Sequence, residues 1–109
     1  MSNRVTASKV VLSTDLDDPE AYPYFLWDDP MTNRQVHDFL CSASEPERHR
    51  LLAKILREAR DPDVWTYTTP HDVARLWPQL ERHLGRRRAF WKYLLGRWAD
   101  FGIIDFEPA

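Results

Sequence analysis

The four histidines, the side chains best suited to proton transfer or metal binding near neutral pH, are spread along the chain. They are His37, His49, His71 and His83. Two imidazoles bind one metal from a single helix only at spacings of three or four residues, and these lie twelve or more residues apart. The sequence therefore predicts solvent-facing histidines and no histidine metal site.

Acidic residues cluster twice in the first third of the chain, at Asp15, Asp17 and Asp18 and again at Asp28 and Asp29. Clustered carboxylate oxygens suit hard cations such as Ca²⁺. An EF-hand loop also needs a glycine at its turn and a glutamate at its last ligand position, and both are missing here. We therefore interpret these carboxylates as loop residues and predict no metal.

Cys41 is the single cysteine, so an internal disulfide and a multi-cysteine zinc site are excluded. It follows Leu40 in an apolar stripe, which predicts a small buried residue. The three glycines are isolated, so we expect no phosphate-binding loop. No catalytic residue or cofactor site is predicted, and we expect a protein that is not an enzyme.

Arg86–Arg88 is the one run of basic side chains, and it stands at the predicted start of a helix. The helix dipole disfavours cations there, so the run could serve to contact phosphates or a partner's carboxylates. Trp91 and Tyr93 add stacking capacity nearby. The run could equally be a solvated helix start with acidic neighbours such as Glu81.

Caps, prolines and apolar periodicity predict a series of short helices that would position these residues. They cover about 32–41, 45–60, 69–77 and 86–100, with a capping box predicted at Ser44–Glu47. A further turn or two after Pro78 would end at Gly85. The predicted core consists of Phe39, Leu52, Ile55, Leu56, Trp65, Leu76, Trp77, Phe90, Trp91, Leu94 and Trp98.

Residues 1–23 are polar, acidic and aperiodic, which predicts a flexible N-terminal arm followed by a helical domain over 24–109. Lys9–Leu12 could be extended, but we expect it to find no partner strand. Tyr24–Trp27 is aromatic and bracketed by prolines, so it is not the interior of a helix. It either covers the core or binds another protein.

The chain has 109 residues, the size of one domain, with few glycines and many charges. We predict an all-α fold: a compact bundle of about four to five short helices with an extended N-terminal arm. Fourteen aromatic residues, five of them Trp, exceed what such a core holds, so some should be exposed for a partner.

Net charge and hydropathy restrict the partners. The net charge is −2, with −5 over residues 1–46 and +3 over residues 47–109, which does not favour nucleic-acid binding by the whole domain. No apolar run approaches the length of a membrane span, and no signal-peptide pattern opens the chain. We therefore expect a cytoplasmic protein with no membrane partner.

Four segments of the chain occur in the same order in a known group of proteins. They are Phe25–Asp28, Arg50–Arg60, Asp63–Trp65 and Arg88–Trp91, within residues 24–98. In these segments the chain resembles small bacterial proteins encoded beside nucleotidyltransferase toxins of the abortive-infection E (AbiE) type. The resemblance implies an antitoxin that binds the toxin and suppresses nucleotide transfer.

The acidic arm could then dock on the basic surroundings of the toxin's nucleotide site. The alternative is a DNA-binding transcriptional regulator that uses Arg86–Arg88 and a helix-turn-helix-like pair at 69–77 and 86–98. The residues expected to contact a partner are Asp15, Asp17, Asp18, Tyr24, Phe25, Trp27, Asp28, Arg86, Arg87 and Arg88.

Overall fold

The computed structural model describes residues 10–107, and the chain divides into two compact units, residues 1–43 and 44–109. Most of the described residues are helical, which confirms the predicted helical class, and a two-stranded sheet is present in addition. The elements are β1 Leu12–Ser13, β2 Tyr22–Pro23, α1 Asn33–Ser42, α2 Glu45–Glu58, α3 Pro70–Arg75, α4 Trp77–Leu80 and α5 Arg88–Asp100, with 3-10 helices at Tyr24–Leu26, Asp61–Thr66, Glu81–His83 and Gly85–Arg87.

The boundary between the units lies twenty residues beyond the predicted end of the arm, because residues 15–21 accept hydrogen bonds from Asn33 and Arg34 at the start of α1. β1 and β2 are parallel, with Leu12 opposite Tyr22 and Ser13 opposite Pro23. The expectation that Lys9–Leu12 finds no partner strand is therefore wrong. Residues 1–9 of the predicted arm lie outside the described residues.

Acidic side chains build the connection between β1 and β2. The amide of Asp15 donates to Ser13 Oγ, that of Asp17 to Asp15 Oδ1, and that of Glu20 to Asp18 Oδ1. Aspartate and serine side chains form such local turns because their short side chains reach an amide two residues further on. The acidic segment thus has a defined local structure, which its polar composition did not predict.

The start of α1 binds this connection to the helix. Asn33 is the buried polar residue among residues 10–43, and its Nδ2 donates to the carbonyls of Asp15 at 3.1 Å and Asp18 at 2.8 Å. The amides of Asn33 and Arg34 donate to Ala21 and Pro19. First-turn amides have no acceptor inside a helix, so the connecting segment supplies acceptors for two of them.

In the second unit, α2 buries the apolar face that its periodicity predicts. Leu51, Leu52, Ile55, Leu56 and Ala59 are all buried. Their spacing places them on one side of the helix and leaves the charged residues on the other. The helix therefore supplies the apolar surface on which the rest of the unit packs.

The caps of these helices agree only partly with the sequence-based expectations. Thr69 caps α3 by accepting the amide of Asp72, and Gly85 has the positive φ of +53° expected at a stop. The capping box predicted at Ser44 is wrong, because its hydroxyl donates to the carboxylate of Glu47 and accepts no first-turn amide.

The predicted core is correct at five positions and too inclusive at the others. Leu52, Ile55, Leu56, Trp77 and Trp91 are buried, while Phe90 is 37 % exposed. The remaining predicted core residues are half-buried: Phe39, Trp65, Leu76, Leu94 and Trp98.

Cys41 is exposed, so its prediction as a buried residue is wrong. The buried face of α1 is formed by Asn33 and Val36. Cys41 follows half-buried Leu40, and one residue of α-helix turns a side chain by about 100° away from its predecessor. The apolar stripe that includes Leu40 therefore does not extend to Cys41.

Asn33→Ala tests whether the buried amide holds the first unit together. The change removes two hydrogen bonds and should destabilise the start of α1 by about 1–3 kcal/mol. Amide hydrogen exchange at Asn33 and Arg34, whose amides donate to the connection, should then accelerate at least about tenfold.

Arg34→Ala is the matched control. Its guanidinium donates to Glu20, and that hydrogen bond raises the pKa of Arg34. Both side chains are largely exposed, so the ion pair contributes little and exchange should barely change. Equal effects of the two substitutions would contradict the role assigned to Asn33.

Candidate protein-binding surface

A buried tryptophan sets the rotation of α5 about its own axis. Trp91 is fully buried, and its Nε1 donates to the carbonyl of Leu56 at 2.9 Å. Leu56 lies in the last turn of α2, where carbonyl oxygens lack partners within the helix. The indole of Trp91 also packs edge-on against Trp65, with ring centroids 5.7 Å apart. These contacts direct one side of α5 into the unit and the opposite side outwards.

Aromatic and arginine side chains occupy the outward side. We define the outer stripe as Phe90, Tyr93, Arg97 and Phe101. The residues are three or four positions apart, so they lie along one side of the helix and its final turn. Tyr93 is 66 % exposed and Phe101 is 68 % exposed. A small domain that shows three aromatic rings along one line presents a surface suited to a partner.

Arginines cover two of these rings. The Cζ atom of Arg87 lies 4.6 Å from the centroid of Phe90, and that of Arg97 lies 5.1 Å from the centroid of Phe101. A guanidinium over an aromatic face is attracted by the ring's electron density. The contacts restrict both rings and place cationic groups beside apolar ones. Such a combination can bury against a partner and pair with its carboxylates.

The predicted basic run is largely paired within the unit. Arg88 binds Glu81 through Nε at 2.9 Å and through Nη2 at 2.6 Å, and Arg87 forms an ion pair with Asp61. Arg86 is exposed and has no ion-pair partner within residues 10–107. These contacts agree with the interpretation of the run as a helix start with acidic neighbours. Of the two aromatic residues expected to add stacking capacity there, Trp91 is buried and unavailable.

The aromatic segment of the first unit divides into buried and exposed residues. Phe25 is 1 % exposed and Leu26 is equally buried, whereas Trp27 is 64 % exposed. Tyr24 is half-buried and packs edge-on against Phe25. Phe25 therefore belongs to the core in this structure, and its assignment as a partner contact is corrected. Trp27 and the exposed Asp28 remain accessible from that set.

The acidic residues proposed as partner contacts are exposed, but some of them already accept hydrogen bonds within the chain. The carboxylates of Asp15 and Asp18 each accept a backbone amide in the connection between β1 and β2. Charge reversal at either residue would therefore disturb this turn as well as the surface charge. Asp17 contributes its backbone amide to the same turn and exposes its side chain.

Neither metal ligation nor membrane crossing is indicated within residues 10–107. No three of the histidine, cysteine, aspartate and glutamate side chains described there lie close enough to hold one ion. None of the helices in that range combines the length and apolar content needed to cross a bilayer.

The outer stripe was missed by sequence reasoning because α5 is apolar on more than one side. Phe90 and Trp91 are neighbours, and both fit the spacing that predicts a buried face. The alternative spacing from Phe90 through Tyr93 to Arg97 was present in the sequence and marks the exposed side. Periodicity alone could not decide which face packs, whereas the hydrogen bond from Trp91 does.

Trp91→Phe tests whether this hydrogen bond positions α5. The substitution removes the indole N–H, so the Leu56 carbonyl loses its hydrogen-bond donor, and it also reduces the buried volume. Together these changes should lower the free energy of unfolding by about 2–4 kcal/mol. Trp98→Phe, at a half-buried ring of the same helix, should cost less than half as much. Urea unfolding measures both, and equal losses would contradict the special role of Trp91.

Comparison of the chain with protein-family models, with curated proteins and with solved structures finds no match.

Proposed function

We propose that this protein is a non-catalytic binding module that acts as the antitoxin of a nucleotidyltransferase toxin. The outer stripe of α5 is the proposed contact surface. The observation that carries the proposal is the exposure of Phe90, Tyr93 and Phe101 along one side of a helix whose other side is fixed in the core.

The composition of the stripe suits protein recognition. Tyrosine and arginine are enriched among the residues that contribute most to binding energy at interfaces. Aromatic side chains have few rotatable bonds, so they lose little conformational entropy when a partner covers them. A helix already held by a buried tryptophan adds little further ordering cost. The stripe can therefore bind without refolding of its own unit.

A nucleotidyltransferase is the proposed partner because of the resemblance carried by Phe25–Asp28, Arg50–Arg60, Asp63–Trp65 and Arg88–Trp91. Within the first of these segments, Trp27 is exposed and adjoins the exposed Asp28. An enzyme that binds nucleotide phosphates has basic surroundings, which suit the acidic residues 1–46 by charge complementarity. Trp27 and these carboxylates are a second proposed contact.

The DNA-binding alternative has weaker support. Arg87 and Arg88 already pair with Asp61 and Glu81, so only part of the basic run is free for phosphates. The helix proposed to enter a groove exposes the aromatic rings of Phe90 and Tyr93 among its cations. We therefore rank protein binding above DNA binding.

Growth rescue tests the proposal directly. The chain is expressed together with the product of its neighbouring open reading frame, expected to be a nucleotidyltransferase that arrests growth when expressed alone. The wild-type chain should restore growth and co-purify with that product. Tyr93→Ala combined with Phe101→Ala should weaken the complex at least about tenfold, or about 1.4 kcal/mol, and impair rescue.

Lys92→Ala is the matched control, because Lys92 is exposed on α5 but lies outside the outer stripe. It should rescue growth like the wild type, and circular dichroism should show all variants folded. Full rescue by the double variant would exclude the outer stripe. A neighbouring product that is not a nucleotidyltransferase, or that never binds this chain, would overturn the antitoxin proposal.

A further inference from the structure

A second surface of the same unit is a basic groove, defined here by six of its lining residues. The groove has a volume of about 600 Å³, within the range of small-ligand sites. The first turns of α2 form one wall, and the end of α3 with the segment that follows it forms the other. Its charged or titratable lining residues are Glu45, His49, Arg50, Arg75, Arg82 and His83.

Two of its three arginines lack an acidic partner. Arg50 and Arg82 are exposed, and neither forms an ion pair with a carboxylate in the described part of the chain. Arg82 makes its one described contact through Nε, 3.4 Å from Nε2 of His83. Arg75, by contrast, is paired with Asp72 at 3.1 Å. The groove therefore holds two guanidinium groups whose charge is not compensated locally.

The helix beside these arginines begins at the groove, so its first-turn amides are a further feature of this wall. The N-cap Ser44 donates to Glu47 and leaves the first-turn amides of α2 without a side-chain acceptor. Unsatisfied amides and the helix dipole both favour an anion at such an end. The carboxylates of Glu45 and Glu47 in the same turn oppose this effect. Glu45 lies 4.0 Å from Arg48.

We propose that the basic groove binds a ligand that carries at least two phosphate groups, such as a nucleoside triphosphate or a short single-stranded RNA. Arginine forks pair with phosphate oxygens in a bidentate manner, and two uncompensated arginines on facing walls suit a ligand with more than one phosphate. The histidines can add N–H donors to further oxygens.

An acidic peptide is the less suitable ligand. Peptide recognition relies on apolar pockets for side chains as well as on charge. Pro46 and Leu76 are the apolar residues of this groove, and the rest of its lining is polar or charged. Such a lining favours the binding of a compact, highly charged anion over that of an extended peptide chain. This inference does not depend on the proposed antitoxin role, because the groove and the outer stripe share no residue.

Calorimetric titration of the full chain tests the proposal with pyrophosphate, ATP, a twelve-nucleotide single-stranded RNA and hexaglutamate as separate probes. We expect pyrophosphate and ATP to bind at about 50 mM salt and to weaken several-fold at about 300 mM, as ion pairing requires. Similar affinities for pyrophosphate, ATP and RNA would identify a free polyphosphate as a sufficient ligand. Markedly tighter binding of the RNA would identify a nucleic-acid strand.

Arg50→Ala combined with Arg82→Ala should reduce the affinity for pyrophosphate at least about tenfold. Both side chains are exposed, so the double variant should fold, and circular dichroism verifies this. The control with the same charge change combines Lys92→Ala with Arg86→Ala, both at exposed cations outside the groove lining. This double control should change the affinity less than about twofold.

Imidazole resonances locate the ligand independently of the substitutions. Pyrophosphate should shift the NMR signals of His49 and His83, which line the groove, more than those of His71, which does not. The proposal is overturned if pyrophosphate, ATP and RNA all fail to bind at low salt. It is also overturned if the arginine variants bind like the wild type, if His71 shifts as much as the groove histidines, or if hexaglutamate alone binds.

Discussion

The second unit depends on one buried hydrogen bond, from the indole of Trp91 to the carbonyl of Leu56. Both groups are buried, so water cannot act as a hydrogen-bond partner for either of them. Removing one would leave the other unpaired. The bond joins the last turn of α2 to the first half of α5 and fixes the rotation of α5. That rotation places Trp91 and Leu95 inside and leaves Tyr93 and Phe101 outside. The position of the proposed interface therefore follows from this hydrogen bond in the core.

The second unit carries two surfaces of different chemistry. The outer stripe combines aromatic rings with arginines that lie over them, which suits the burial of a large protein surface. The basic groove has uncompensated arginines with few apolar neighbours, which suits a compact anion. A chain with a net charge of −2 can carry a basic site because charge acts locally, through groups within about one Debye length.

Local signals predicted most of the helices, because proline positions, threonine caps and apolar periodicity act within a few residues. Thr69 and Gly85 are examples. Features that need partners distant in sequence were not predicted, including the β1–β2 pair and the contacts of Asn33. The candidate site was predicted in part. Trp27 is exposed as a partner contact requires, but Phe25 is buried, and Tyr93 was noted only for stacking. Because α5 has two apolar faces, its sequence did not indicate which of them is buried.

Site-specific photocrosslinking tests the central claim, that the outer stripe of α5 is a protein interface, most directly. Benzoylphenylalanine is introduced at the position of Tyr93 or of Lys92, and the chain is co-expressed with the product of its neighbouring open reading frame. We expect a crosslinked product of the combined mass from position 93 and little from position 92. Equal products from both positions, or none from position 93 although the complex forms, would contradict it.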